Sequence, residues 1–343
     1  MKERKEAPRP GSDTRYTYAV GHIKALEARL ISPAEMERLM DEETLAEALR
    51  ALGEFSDYAD AITAGDKQPE EILEGQLRQA YAVVSELSLG SKVITALRLK
   101  YDFHNLKVLL KARSLGAEPR HERGLSTVGF LSPQQLIRIV DERTVDGGVE
   151  PFVGEAILAA LSGVDESATP ERIEMILDRV YYTLFLENLS VNPFLEEYAR
   201  RRIDLINLRT FWRVQLMEWP EEKLAVSLLP GGTIEKTFFT TNFATPIADL
   251  MPKLTDDAYR RILREALSAY RSKKDLSVLD RLADDLLIQH LRKGKYYCFG
   301  LEPLVGYIAA KENEVTRLRV ILHGKEKSLP ADSLRELFRR SYA

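Results

Sequence analysis

An internal repeat about 100 residues long constrains this chain most, because a duplicated segment implies that the same local fold is built more than once. The segment LISPAEMERLMDEET (30–44) matches FLSPQQLIRIVDERT (130–144) at an offset of 100. Ser32, Pro33, Asp41, Glu42 and Thr44 recur as Ser132, Pro133, Asp141, Glu142 and Thr144. The same offset relates Glu71, Glu74, Leu77 and Tyr81 to Glu171, Glu174, Leu177 and Tyr181.

The repeated unit reads as helix. Ala19, Ile23, Leu26 and Leu30 fall on one apolar stripe at helical spacing. Ser32 stands where a helix N-cap is needed, Pro33 fits the first helical position, and Glu35 completes a capping box. Ser132, Pro133 and Gln135 repeat that arrangement. Leu224 to Leu229 and Thr237 to Thr245 carry some β-branched and aromatic residues, but they alternate poorly and lie among helical neighbours. The expectation is an all-α protein with short connections near Gly116, Pro119, Pro151, Pro220 and Gly231-Gly232.

A second element occurs three times, in YDFHNLKVLLKAR (101–113), IDLINLRTFWRV (203–214) and NEVTRLRVILHGK (313–325). Each copy has an acid, a polar residue one helical turn later, then Leu and a base. The first set is Asp102, Asn105, Leu106 and Lys107; the second is Asp204, Asn207, Leu208 and Arg209; the third is Glu314, Arg317, Leu318 and Arg319. Apolar residues back each set on one helix face: Phe103, Leu106 and Leu110, then Leu205, Leu208 and Trp212, then Val315, Leu318 and Leu322. This divides the chain into an extension (1–15) and three helical units (16–115, 116–219 and 220–343). The third has diverged most, and its capping segment is hard to place.

Several kinds of chemistry lack their usual residues. There is no P-loop, and the five histidines, His22, His104, His121, His290 and His323, fall into no zinc-ligand spacing. Neither Asp256-Asp257 nor Asp284-Asp285 is followed by the third carboxylate of a magnesium motif. One cysteine, Cys298, leaves no intrachain disulfide. A formal net charge of -4 argues against binding a phosphate backbone. No stretch is apolar enough for a membrane span. No cofactor or metal is expected. Arg200-Arg201-Arg202 reads as a solvated helix face or as a contact for an acidic partner or lipid headgroups.

Together these segments resemble the C subunit of V/A-type rotary ATPases, the relative of the eukaryotic d subunit. The strings that carry the resemblance are YTYAVGHIKALEARLISPAEMERL (16–39), LKYDFHNLKVLLKAR (99–113) and FGLEPLVGYIAAKENEVTRLRVILHGK (299–325). The resemblance implies three homologous helical domains arranged as a pseudo-threefold funnel on the cytoplasmic face of the membrane. It implies a non-catalytic component, one per complex, that joins the central rotor stalk to the membrane proteolipid ring and transmits torque. Asp102, Asn105, Lys107, Asp204, Asn207, Arg209, Glu314 and Arg319 are then candidates for contacts with the stalk or between units. The competing reading of these residues is salt bridging inside each unit. A helical scaffold that binds protein partners through a concave face is the alternative function.

Overall fold

The computed structural model describes residues 9–55, 57–63, 68–117, 124–145, 147–165 and 167–337. Pro119, His121 and the first eight residues of the N-terminal extension lie outside them. The described residues contain no strand. In chain order the α-helices are α1 (Thr17–Glu27), α2 (Pro33–Asp41), α3 (Leu45–Leu52), α4 (Ala59–Thr63), α5 (Pro69–Leu87) and α6 (Lys92–Ser114). Next come α7 (Pro133–Glu142), α8 (Pro151–Ser162), α9 (Pro170–Leu189), α10 (Pro193–Leu216), α11 (Glu221–Ser227) and α12 (Lys236–Thr241). The last are α13 (Ile247–Leu250), α14 (Asp257–Lys273), α15 (Ser277–Arg292), α16 (Glu302–Glu326) and α17 (Ala331–Leu337).

Both capping boxes expected from the repeat form. The Ser32 amide donates to Glu35 Oε2 at 2.7 Å, and the Ser132 amide donates to Gln135 Oε1 at 2.9 Å. Each serine hydroxyl in turn accepts the amide of the residue three positions on. The ambiguous stretches at 224–229 and 237–245 contribute to α11 and α12, since neither has a neighbouring strand with which to pair.

The chain packs as two compact units, one formed by residues up to Gly90 together with those from Asp256 onward, the other by Ser91–Thr255. In the first, α16 is the central strut. It packs against α1, α2, α3, α5, α15 and α17, so its apolar residues face inward on every side. Leu304, Val305, Ile308, Val315, Leu318, Ile321 and Leu322 are all buried. Each such side chain contributes about 1.5–3 kcal/mol on burial. Gly324 lets α17 approach α16, because a Cβ there would overlap Leu334.

In the second unit α6 lies along α9, and α10 packs on α9. An aromatic row links these helices, with ring centroids 5.6 Å apart for Phe103–Tyr181, 5.7 Å for Tyr181–Phe185 and 6.1 Å for Phe185–Tyr198.

The three longest helices, α6, α10 and α16, end in the same way. Ala117 N–H donates to Ala112 O at 3.0 Å, Trp219 N–H to Val214 O at 3.1 Å, and Leu329 N–H to Gly324 O at 2.8 Å. The residues just before these donors, Gly116, Glu218 and Ser328, have φ values of 65°, 53° and 54°. This is a Schellman stop, used three times.

Candidate functional site

The acid of each repeated element lies in the middle of a long helix, buried, and grips the backbone of a distant segment. Asp102 on α6 is 0% exposed. Its Oδ2 accepts the Phe130 amide at 2.9 Å and its Oδ1 accepts the Leu131 amide at 3.0 Å. The receiving turn must come close. A Cβ on Gly129 would stand 2.6 Å from Asp102 Oδ1, so only glycine leaves room. One helical turn further along, Asn105 donates Nδ2–H to Ser126 O and accepts the Ser126 amide, both at 2.8 Å. One turn before, Arg98 donates Nε–H to Val128 O at 2.8 Å and Nη2–H to Gly129 O at 2.9 Å. Burial raises the Asp102 carboxyl from 3.8 to about 6, outweighing the two amide donors and the Arg98 charge that favour its ionised form.

The joint on α10 follows the same plan. Asp204 Oδ1 accepts the Ile234 amide at 3.0 Å, and Oδ2 accepts the Thr233 amide at 3.1 Å and the Thr233 hydroxyl. Gly232 stands where Gly129 does, with no room for a side chain beside Asp204. Asn207 donates to Leu229 O at 2.9 Å and accepts the Leu229 amide at 2.8 Å. Arg200 Nη1 donates to Gly231 O at 2.9 Å. The segment Gly232–Lys236 therefore matches Gly129–Pro133 by structure, with Glu235 and Lys236 replacing the Ser-Pro pair.

The third joint, on α16, is chemically different. Glu314 Oε2 accepts the Ile31 amide at 2.7 Å, and Ile31 is the residue that the offset of 100 aligns with Leu131. Glu314 Oε1 accepts the Tyr58 hydroxyl and the Lys311 ammonium, each at 2.7 Å. Lys311 is 1% exposed and also reaches Asp57 Oδ2 at 3.3 Å. Burial, and next the Glu314 charge, push the Tyr58 hydroxyl well above its ordinary value. Arg317 occupies the place of the two asparagines, and Ala310 that of Arg98 and Arg200.

The bases of the repeated elements face elsewhere. Lys107 pairs with Asp178 on α9. Arg319 makes a two-pronged pair with Glu70 on α5, with Nε 2.9 Å from Oε2 and Nη2 2.5 Å from Oε1. The Glu70 carboxyl is raised by burial but lowered more by Arg319, and ends below its ordinary value. Arg209 is exposed. The receiving segments are 126–131 for α6, 229–234 for α10, and Ile31 with Tyr58 for α16. The structure thus distributes the acids and asparagines over three joints and places the bases outside them, rather than gathering the candidates into one site. Sequence reasoning missed Arg98, Gly129, Asp57, Tyr58 and Lys311, and it took Gly232 only for a connection and Arg200 only for part of a basic run. The two arginines did leave a signal, four residues before the acid in both copies.

Among the described residues, no group of three or more His, Cys, Asp or Glu could hold a metal ion, and no helix is long and apolar enough to cross a membrane. The fold and its joints define a class: an all-helical repeat protein whose buried polar side chains are committed to holding its own backbone. The chain belongs to the ATP synthase (C/AC39) subunit family, which it matches over residues 19–337. It is similar to the C subunit of the A-type ATP synthase of Methanocaldococcus jannaschii, with 24% identity over 94% of this chain and 86% of that protein. The C subunit of the Methanothermobacter thermautotrophicus A-type enzyme is 25% identical over 94% of this chain and 87% of its own length. That of Haloquadratum walsbyi is 25% identical over 94% and 97%.

Proposed function

We propose that this chain is the non-catalytic central-stalk subunit of a rotary V/A-type ATP synthase, peripheral on the cytoplasmic face of the membrane. One copy per complex would join the rotor stalk to the proteolipid ring and pass torque between them during ion transport. The family match along nearly the whole chain is the observation that carries this reading. In the same proposal, domains 16–115, 116–219 and 220–343 close around a pseudo-threefold axis as a funnel. Two joints of one plan, from the first repeat to the second and the second to the third, and a third joint that keeps the amide contact, from the third to the first, support that closure.

We assign Asp102, Asn105, Asp204, Asn207 and Glu314, with Lys107 and Arg319, to holding neighbouring repeats together, and propose a stalk contact at Arg209 on the ground that it is exposed. A torque-bearing adaptor must deform little, and buried carboxylates fixed on backbone amides stiffen the connections between packed helices. The experiment is deletion of the chain from the intact membrane complex. ATP hydrolysis by the soluble head should persist while ATP-driven ion transport is lost, and coupled transport surviving the deletion overturns the proposal. Replacing Asp204 and Arg209 together tests the residue roles. Lower thermal stability and weaker stalk retention are expected, and unchanged retention removes Arg209 from the interface.

A further inference from the structure

The basic run Arg200-Arg201-Arg202 divides into two kinds of cation. Arg200 Nη2 lies 2.7 Å from Glu196 Oε1, and Arg201 Nε lies 2.8 Å from Glu197 Oε1, each one helical turn back on α10. Arg202 has no carboxylate partner among the described residues. Its guanidinium stands 5.9 Å from the Phe185 ring centroid, and Nη1 donates to the Tyr198 hydroxyl at 3.3 Å. The nearby Tyr182 hydroxyl adds to the groups that favour the charged guanidinium. Nε is buried and makes no hydrogen bond. Tyr181, Phe185 and Tyr198 are buried; Tyr182 and Arg202 are partly exposed and form the open side of this aromatic cage.

A guanidinium stays charged at every pH that a folded protein meets, so it cannot relieve its burial by losing a proton. Two hydroxyls and a ring face compensate it only partly, because each is a dipole or quadrupole and not a counter-charge. With Nε buried, the Nη edge of the planar fork, flanked by rotatable hydroxyls, matches one carboxylate held end-on through two parallel hydrogen bonds. A phosphate fits less well. It carries more charge than a single arginine neutralises, and the neighbouring arginines are already engaged by Glu196 and Glu197.

We propose that Arg202, framed by Tyr182 and Tyr198, is a docking point for one acidic side chain of a protein partner. Resting on the function proposed above, that partner is another component of the same rotary complex. The position is particular to the second repeat, since Lys100 and Glu312 stand at the matching places on α6 and α16.

The full-length chain tests this in two arms. In isolation, Arg202→Met should raise Tm by about 2 °C or more, because an apolar side chain of similar length fills the cage without an uncompensated charge. A fall in Tm overturns the proposal, since Arg202 would then be part of the core. In the purified membrane complex, Arg202→Met should weaken retention of the chain at least about tenfold, and Arg202→Lys, which keeps the charge but not the fork, should weaken it less. A photo-cross-linking amino acid at Tyr182 should capture a peptide of another protein of the complex that contains Asp or Glu. Capture of lipid or of this chain alone overturns the docking point. Equal retention of wild type and Arg202→Met refutes the docking point alone, whereas a wild-type chain that never joins the complex refutes the function on which it rests.

Discussion

Replacing Asp102 by Asn tests whether the buried carboxylates of the joints are strained by their own burial. The substitution preserves shape but removes the titrating proton and turns one acceptor oxygen into an amide that faces a backbone N–H. At neutral pH these effects oppose each other, so a single melting temperature decides little. The pH dependence does decide. The Asp102 carboxyl titrates at about 6 when folded against 3.8 ordinarily, a difference of about two units or about 3 kcal/mol. Because the folded pKa is the higher, the native state binds more protons than the unfolded state across that window. Stability from this group is therefore fully present below the unfolded pKa and is lost as pH rises through the folded one. On acidification from about pH 7 to about pH 4, wild type should gain about 2 kcal/mol of unfolding free energy relative to Asp102→Asn, most of the full difference. Other raised carboxyls, such as Asp178 and Glu302, are common to both proteins and cancel in the difference. Urea titrations at a series of pH values measure it. Parallel stability curves for the two proteins would refute the claim that burial dominates at this joint.

Three further outcomes are expected. Gly129→Ala and Gly232→Ala each push a methyl group into a joint carboxylate and should cost about 1–3 kcal/mol in urea unfolding, whereas Gly90→Ala, where a Cβ meets nothing within 4 Å, should show only the smaller penalty of its positive φ. Glu314→Ala leaves Lys311 with Asp57 as its one acidic partner among the described residues and leaves the Ile31 amide and Tyr58 hydroxyl without this acceptor, at about 3–5 kcal/mol. Adding Lys311→Met should recover part of that loss in calorimetry, and an additive loss would show that the two charges do not depend on each other. Ser328→Gly relieves a left-handed residue at a Schellman stop and should raise stability by about 1 kcal/mol by thermal melting, as should Glu218→Gly.

Much of this architecture was legible because it is local. Caps, helix starts and the spacing of Asp102, Asn105 and Leu106 depend on neighbours a turn away, and they survive in the letters. What grips Asp102 and Asp204 was hidden for the opposite reason. Phe130-Leu131 and Thr233-Ile234 share no side-chain chemistry, because the carboxylates take hold of amide groups that every residue but proline carries. The capping segment of the third repeat escaped notice on the same account. Its Glu235 and Lys236 look nothing like Ser-Pro, and only the hydrogen bonds of Asp204 align them. Packing partners were equally silent. A periodic stripe shows that α6 buries a face, but not that this face rests on α9 of the following repeat.

Each joint carboxylate takes hold of at least one backbone amide, and this sets an unusual rule for how such a protein can change over time. The amide grip itself asks only that residues 31, 130, 131, 233 and 234 keep an amide hydrogen, although Ile31 and Leu131 are also buried and the Thr233 hydroxyl also donates to Asp204. Proline alone is barred at every one of them, since it would present a ring carbon to a carboxylate that needs a donor. Joints of this kind could thus keep their grip while the letters of these turns diverge.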